Sequence, residues 1–202
     1  MNRELILTVL YDLALTIGSE VDSRKLLDKT LRRLLYHTGF PAGVVLERLD
    51  DGFETESAKL LVANGDHVLG ALANATLVLP KPLLEPRVAL FAKPEWLTAL
   101  SAGQAFSHCL RLPVGESIVV LLLATRKPES QLPLTHVFQP ILANLAKAVG
   151  LSRESERLRE NIVRERDQAQ AERDDARIEV ENERAFLNTL YETLPDLVWL
   201  KD

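Results

Sequence analysis

The residues best equipped for chemistry in this chain are a His-Cys pair and an arginine close behind it, in the run Ser107-His108-Cys109-Leu110-Arg111-Leu112-Pro113. A thiolate is a nucleophile and a metal ligand, an imidazole moves protons near neutral pH, and a guanidinium holds anions. Trp96 and Phe106 offer apolar walls just upstream. Trp96, Phe106, His108 and Arg111 are therefore the candidate ligand-contacting residues. The run reads as a strand, on which adjacent side chains point to opposite faces, so His108 and Cys109 do not form a working pair. Cys109 reads as a small buried thiol beside a partly exposed imidazole. His37, His67, His108 and His136 are scattered and match no metal-ligand spacing. No carboxylate pair falls in an apolar setting, and Asn64-Gly65-Asp66 and Gly115-Glu116-Ser117 read as turns without a phosphate-loop fingerprint. No catalytic residue and no metal site are expected, no cofactor is specified, and the chain is expected not to be an enzyme.

The elements that must position these residues follow from apolar spacing. Leu5, Ile6, Val9, Leu10, Leu13 and Ile17 recur at helical intervals before Gly18. Asp22 or Ser23 offers an N-cap to a second helix carrying Leu26, Leu27, Leu31, Leu34 and Leu35, with Gly39 as its stop. From Ala42 the period shortens, and Asp51-Gly52 predicts a tight turn between two extended segments, 42–49 and 53–62. Residues 64–81 fit a loop with a short helix or an irregular strand. Residues 86–91 read as a strand, Pro94 opens a short helix, and 107–113 with 117–125 form a second apolar hairpin, giving at least four strands. Thr135 is placed to cap a last helix whose stripe is Phe138, Ile141, Leu142, Leu145 and Val149.

That helix is expected to run on through a stretch, 151–194, with no Gly and no Pro. With Leu151 at a heptad d position, Leu158 and Phe186 also fall at d, and Ile162 and Leu190 at a, while the middle of the seam is Glu and Ala. Two readings stand: a marginal parallel dimer, and a solvated single helix spanning roughly 60 Å. A dimer is expected to use Leu13, Leu151, Leu158, Ile162, Phe186 and Leu190. The final residues, Leu194-Pro195-Asp196-Leu197-Val198-Trp199-Leu200-Lys201-Asp202, suggest the opening of a further domain.

Composition bounds the partners. The 202 residues are 47% hydrophobic, enough for one domain of about 150 residues plus a charged tail. The net charge is −5 and there is no Lys/Arg-rich block, which argues against nucleic acid as a partner. One cysteine forbids an intrachain disulfide and the N-terminus lacks a secretory pattern, so a cytoplasmic location is expected. The most apolar stretch, 117–125, is too short to span a membrane, and no membrane insertion is expected.

Two helices, a hairpin, a variable middle, the hairpin of residues 107–124 and a terminal helix resemble the GAF domain family, over residues 3–149. The run from Phe186 to the C-terminus resembles the entry helix and first strand of a PAS domain. These resemblances imply an α+β fold, with a GAF-like antiparallel sheet flanked by helices and a long C-terminal helix. The implied organisation is a sensory domain over 1–149, a signalling helix or coiled-coil linker over 150–190 and a truncated PAS start over 191–202. The family further implies a ligand pocket on the sheet face away from the helices and homodimerisation through the terminal helices. GAF-helix-PAS order is that of bacterial sensor histidine kinases and cyclic-dinucleotide signalling proteins, so the expected function is a regulatory module. It would sense an unknown small ligand or partner and relay that event to downstream PAS and output domains of the same parent chain. The alternative is a structural dimerisation domain with a collapsed pocket. Bilin-binding members carry Cys followed by His, the reverse of His108-Cys109, and the cyclic-nucleotide signature has no counterpart here.

Overall fold

A computed structural model describes residues 3–49, 56–72, 74–79, 85–92, 106–128 and 137–193. The chain divides into two compact units, Met1–Glu154 and Ser155–Asp202.

In the first unit, helix α1 spans Arg3–Gly18 and buries Val9, Leu13 and Ile17, one residue per turn along a single stripe. Helix α2, Ser23–Thr38, starts where the Asp22 carboxylate accepts from the Lys25 N–H at 2.8 Å. It stops where Gly39 takes a left-handed φ of 72° and donates its N–H to the Leu35 carbonyl. The two helices pack together, and His37 Nε2 pairs with Asp12 Oδ2 at 2.7 Å across their contact.

Strands β1 (Ala42–Leu49), β2 (Glu56–Asn64), β3 (Thr76–Leu79), β4 (Ala89–Ala92), β5 (His108–Val114) and β6 (Ile118–Ala124) form one six-stranded sheet in the order β3-β2-β1-β6-β5-β4. Every neighbouring pair is antiparallel. Strand β6 lies in the middle with all seven residues buried, which explains why its sequence is apolar without alternation. Residues 64–81, undecided between helix and strand, contain both: the short helix α3 (His67–Ala71) and β3. Strand β4 begins at Ala89 rather than at residue 86, because residues 85–87 form a bend ahead of it. The Asp51-Gly52 turn, the helix expected at Pro94 and the cap expected at Thr135 lie outside the described residues.

Alternation along the strands gives the sheet two buried faces. Val45, Leu110, Leu112, Val120 and Leu122 face α1, α2 and the start of the last helix, α4 (Gln139–Thr193), which contributes Ile141, Leu142, Leu145 and Val149. Val44, Leu46, Cys109, Val119 and Leu121 face the other way, with Leu69 of α3 among them. Near the end of the unit, the Ser152 hydroxyl donates to the Val21 carbonyl and Arg153 Nη1 meets Glu47 Oε1 at 2.6 Å, tying α4 to the helix-turn-helix and to β1.

Among the described residues, the second unit is the rest of α4. All side chains over residues 157–192 are exposed. Its ordered contacts run along the helix itself, such as Arg177 Nε to Glu181 Oε1 at 2.9 Å and Gln168 Nε2 to Glu172 Oε1 at 3.2 Å. Among the described residues, no helix is long and apolar enough to cross a membrane.

Candidate functional site

Among the described residues, the sheet face away from α1, α2 and α4 carries the one charged side chain drawn into the apolar interior. Arg111 sits on β5 with Leu121 of β6 in register on one side and Ala89 of β4 on the other. Parity places it with Cys109 rather than with Leu110 and Leu112. Only 2% of Arg111 is exposed. A buried guanidinium must have its N–H groups met. Its Nε donates to the Arg87 carbonyl at 2.7 Å and Nη2 donates to Glu85 Oε2 at 3.2 Å. The Phe91 ring lies under the guanidinium, 5.2 Å from Cζ to the ring centroid. Nη1 is buried and has no hydrogen-bond partner.

Cys109, one pleat away, is fully buried. Burial pushes its thiol up from an ordinary value of 9.0 to about 12, with the Arg111 charge pulling weakly the other way. It is therefore a neutral thiol at physiological pH and not a poised nucleophile. The raised folded-state value fixes the sign of a pH effect. Between pH 9 and 12 the unfolded chain loses this proton first, so the thiol's contribution is intact below 9 and erodes as pH rises toward 12. In urea titrations across that range, stability should fall more steeply for the wild type than for Cys109→Ala, by about 1.4 kcal/mol per pH unit. Parallel slopes would show the thiol to be accessible.

The other expected contacts distribute unevenly. Phe106 is buried on the same face as Cys109 and Arg111. His108 pairs in register with Ala124, whose side chain belongs to the helix-side core, and its Nδ1 lies 2.8 Å from the Ser107 hydroxyl, which also donates to the Thr125 carbonyl. His108 and Arg111 thus stand on opposite faces and do not act on one ligand. Trp96 lies outside the described residues. Glu85, the Arg87 carbonyl and Phe91 were not anticipated. The sequence carried half of the signal, since an arginine between leucines on a strand that pairs on both sides is buried and needs a carboxylate. It did not carry the other half, which carboxylate. Among the described residues, no group of three His, Cys, Asp or Glu side chains could hold a metal ion.

The residues expected at a dimer contact also divide. Leu13 is completely buried within its own protomer and serves the core between α1, α2 and the sheet. Leu151, Leu158, Ile162, Phe186 and Leu190 are exposed, as are Leu7, Tyr11 and Leu15 on the outer side of α1.

No protein-family model and no curated protein sequence matches the chain. Solved structures do. The GAF domain of a phosphoenolpyruvate-protein phosphotransferase from Coxiella burnetii superposes with a TM-score of 0.61 at 13% identity, covering 77% of this chain and 99% of that one. The phycoerythrobilin-bound GAF domain of a cyanobacterial phytochrome gives 0.59 at 10% identity over 77% and 100% of the two chains. The GAF domain of a putative sensor histidine kinase from Pseudomonas syringae pv. tomato gives 0.53 at 16% identity over 81% and 94%. The six-stranded antiparallel sheet, its helical face and the long terminal helix are those of a GAF-like α+β fold.

Proposed function

We propose that the chain is the regulatory sensory module of a bacterial signal-transduction protein. In this reading residues 1–149 sense a small ligand or partner, the helix over 150–190 relays that event in a homodimer, and 191–202 begin a PAS domain leading to output domains. Similar folds in a sensor kinase, a phytochrome and a chemotaxis protein support a signalling role. The carrying observation is the helix. Residues 157–192 form helix with no burial at all, although Leu158, Ile162, Phe186 and Leu190 recur along it at a and d spacing. A solvated helix of mixed charge is marginal by itself, and a second copy would bury those residues. A seam apolar only at its ends is weak, and two packings of a weak seam differ by few kcal/mol, within reach of a ligand's differential affinity.

Analytical ultracentrifugation over a concentration series tests the dimer. The full chain should dimerise, and Leu158→Glu combined with Ile162→Glu should raise the dimer dissociation constant by at least about tenfold, since each mutation places like charges at the seam. Equal dimerisation by the double variant would remove the helix from the interface. Native mass spectrometry followed by denaturing mass on the same sample tests the sensor, with non-covalent extra mass as the expected result.

A second reading has its own support. The face away from the helices is filled by its own side chains, with Leu46, Leu60 and Leu121 inaccessible to solvent. A face packed in this way suits a structural dimerisation domain with a collapsed pocket, which would show no ligand-dependent change in stability.

A further inference from the structure

The unmet nitrogen of Arg111 marks a defect in an otherwise satisfied interior. Beside Arg111 Nη1, only Thr30 Oγ1 is a buried side-chain polar atom without a partner among the described residues. Thr30 is neutral, whereas Arg111 carries a full charge, and an unmet charged donor in an apolar interior is costly. Its carboxylate partner is also a poor one. Glu85 reaches in from the bend before β4 with its side chain 56% exposed, and touches one nitrogen at 3.2 Å. A committed arginine-carboxylate pair uses two short parallel bonds of about 2.7–2.9 Å.

We propose that Arg111 is the anion-recognising group of the ligand site on this face. The ligand is a small organic monocarboxylate, and Glu85 is the internal carboxylate that it displaces. This deepens the sensory reading above and rests on it. The ligand carboxylate takes the Nη1–Nη2 edge of the guanidinium and leaves Nε on the Arg87 carbonyl. Its apolar body takes the path of the displaced Glu85 side chain, past the half-buried Phe91 and out toward solvent. Charge selects the class. Exchange of Glu85 for another monoanion keeps the buried site neutral, whereas a phosphate dianion would bring an uncompensated charge into an apolar interior. Glu85 is already half in water, so its release costs little desolvation. Binding then frees the Glu85 side chain from the buried guanidinium, while the Arg87 carbonyl stays on Nε at the edge of the sheet where β4 begins.

Isothermal titration and thermal melting of the full chain with hexanoate, acetate, hexanamide and inorganic phosphate test this. Hexanoate should bind and raise the melting temperature, acetate more weakly, and hexanamide and phosphate not at all. Glu85→Gln removes the competing carboxylate and should tighten hexanoate binding by about tenfold, the worth of one charge-assisted hydrogen bond. Arg111→Met, checked for native circular dichroism, should lose the response. A structural role for the pair would instead leave Glu85→Gln with lower stability and no gain in binding. The proposal is overturned if hexanoate shifts neither the wild type nor Glu85→Gln, or if phosphate or hexanamide shifts them equally. In that event, non-covalent mass on the purified chain would keep the sensory reading alive with a different ligand class, and its absence would remove both.

Discussion

Phe138→Ala should lower the unfolding free energy by about 3–5 kcal/mol, the range for emptying a large aromatic site in a packed core. Phe138 is completely buried just before α4, and its carbonyl accepts from the Leu142 N–H at 2.9 Å, so its backbone opens the first turn of that helix. Its ring lies in the helix-side core with Ile141, Leu142, Leu145 and Val149 of the same helix and Leu110, Leu112 and Val120 of the sheet. A cavity there cannot collapse easily, because one wall is a central strand buried on both faces and the others are held by α1 and α2. Chemical denaturation with hydrogen exchange at the β5 and β6 amides would measure the loss. Asn144→Ala on the exposed side of the same helix should stay within about 0.5 kcal/mol of the wild type. A small Phe138 effect would mean that α4 is loosely seated on the sheet, which would also undercut a relay through it.

How far the sequence speaks depends on how many constraints meet at each residue. Helix α2 was legible to within a residue at each end, with the cap left between Asp22 and Ser23, because Asp22 and Gly39 each satisfy backbone groups that few other residue types could satisfy. Strand β6 was legible because an apolar run of seven residues flanked by turns has few other uses. Helix α3 and strand β3 were not, since five- and four-residue elements give no period to count and are held by contacts distant in sequence. Helix α1 was legible with its stripe, since Val9, Leu13 and Ile17 are buried and Leu5, Ile6 and Leu10 pack against the same core. What the stripe packs on was not legible, because a stripe facing the chain's own sheet and one facing a second copy have the same period. Leu13, expected at an interface, is a core residue of its own domain.

The site was half legible for the same reason. Parity on β5 puts Arg111 with Cys109 and apart from His108, and that follows from counting. The partner carboxylate sits 26 residues upstream in a bend without regular structure, where no local pattern distinguishes Glu85 from any other surface glutamate. Pairing across a sheet edge is decided by register, and the β4 register with β5, Ala89 opposite Arg111, becomes visible only in the folded chain.

Gly65→Ala should cost more than about 3 kcal/mol, and the comparison with Gly39→Ala isolates the cause. Both glycines have left-handed backbone, φ of 86° and 72°, where an L side chain costs roughly 1–2 kcal/mol. At Gly39 an added methyl meets nothing within 4 Å, so the backbone term stands alone. At Gly65 the methyl would run into the carbonyl oxygen of Pro41 and lie 2.8 Å from the Ala42 Cα, both backbone atoms that no rotamer change can move. Either β1 or the β2 end must then shift. The displacement reaches the candidate site, because Gly65 turns the chain from β2 into α3, where the Asp66 carboxylate accepts the Leu69 N–H at 3.1 Å and Leu69 packs on the face that holds Arg111. Urea midpoints should therefore separate the two variants by a factor that backbone preference alone cannot give, and Gly65→Ala should also loosen α3 in hydrogen exchange. Equal, modest losses at both positions would mean that α3 tolerates a different approach, and that the site face is less tightly closed on that side than the packing of Leu69 implies.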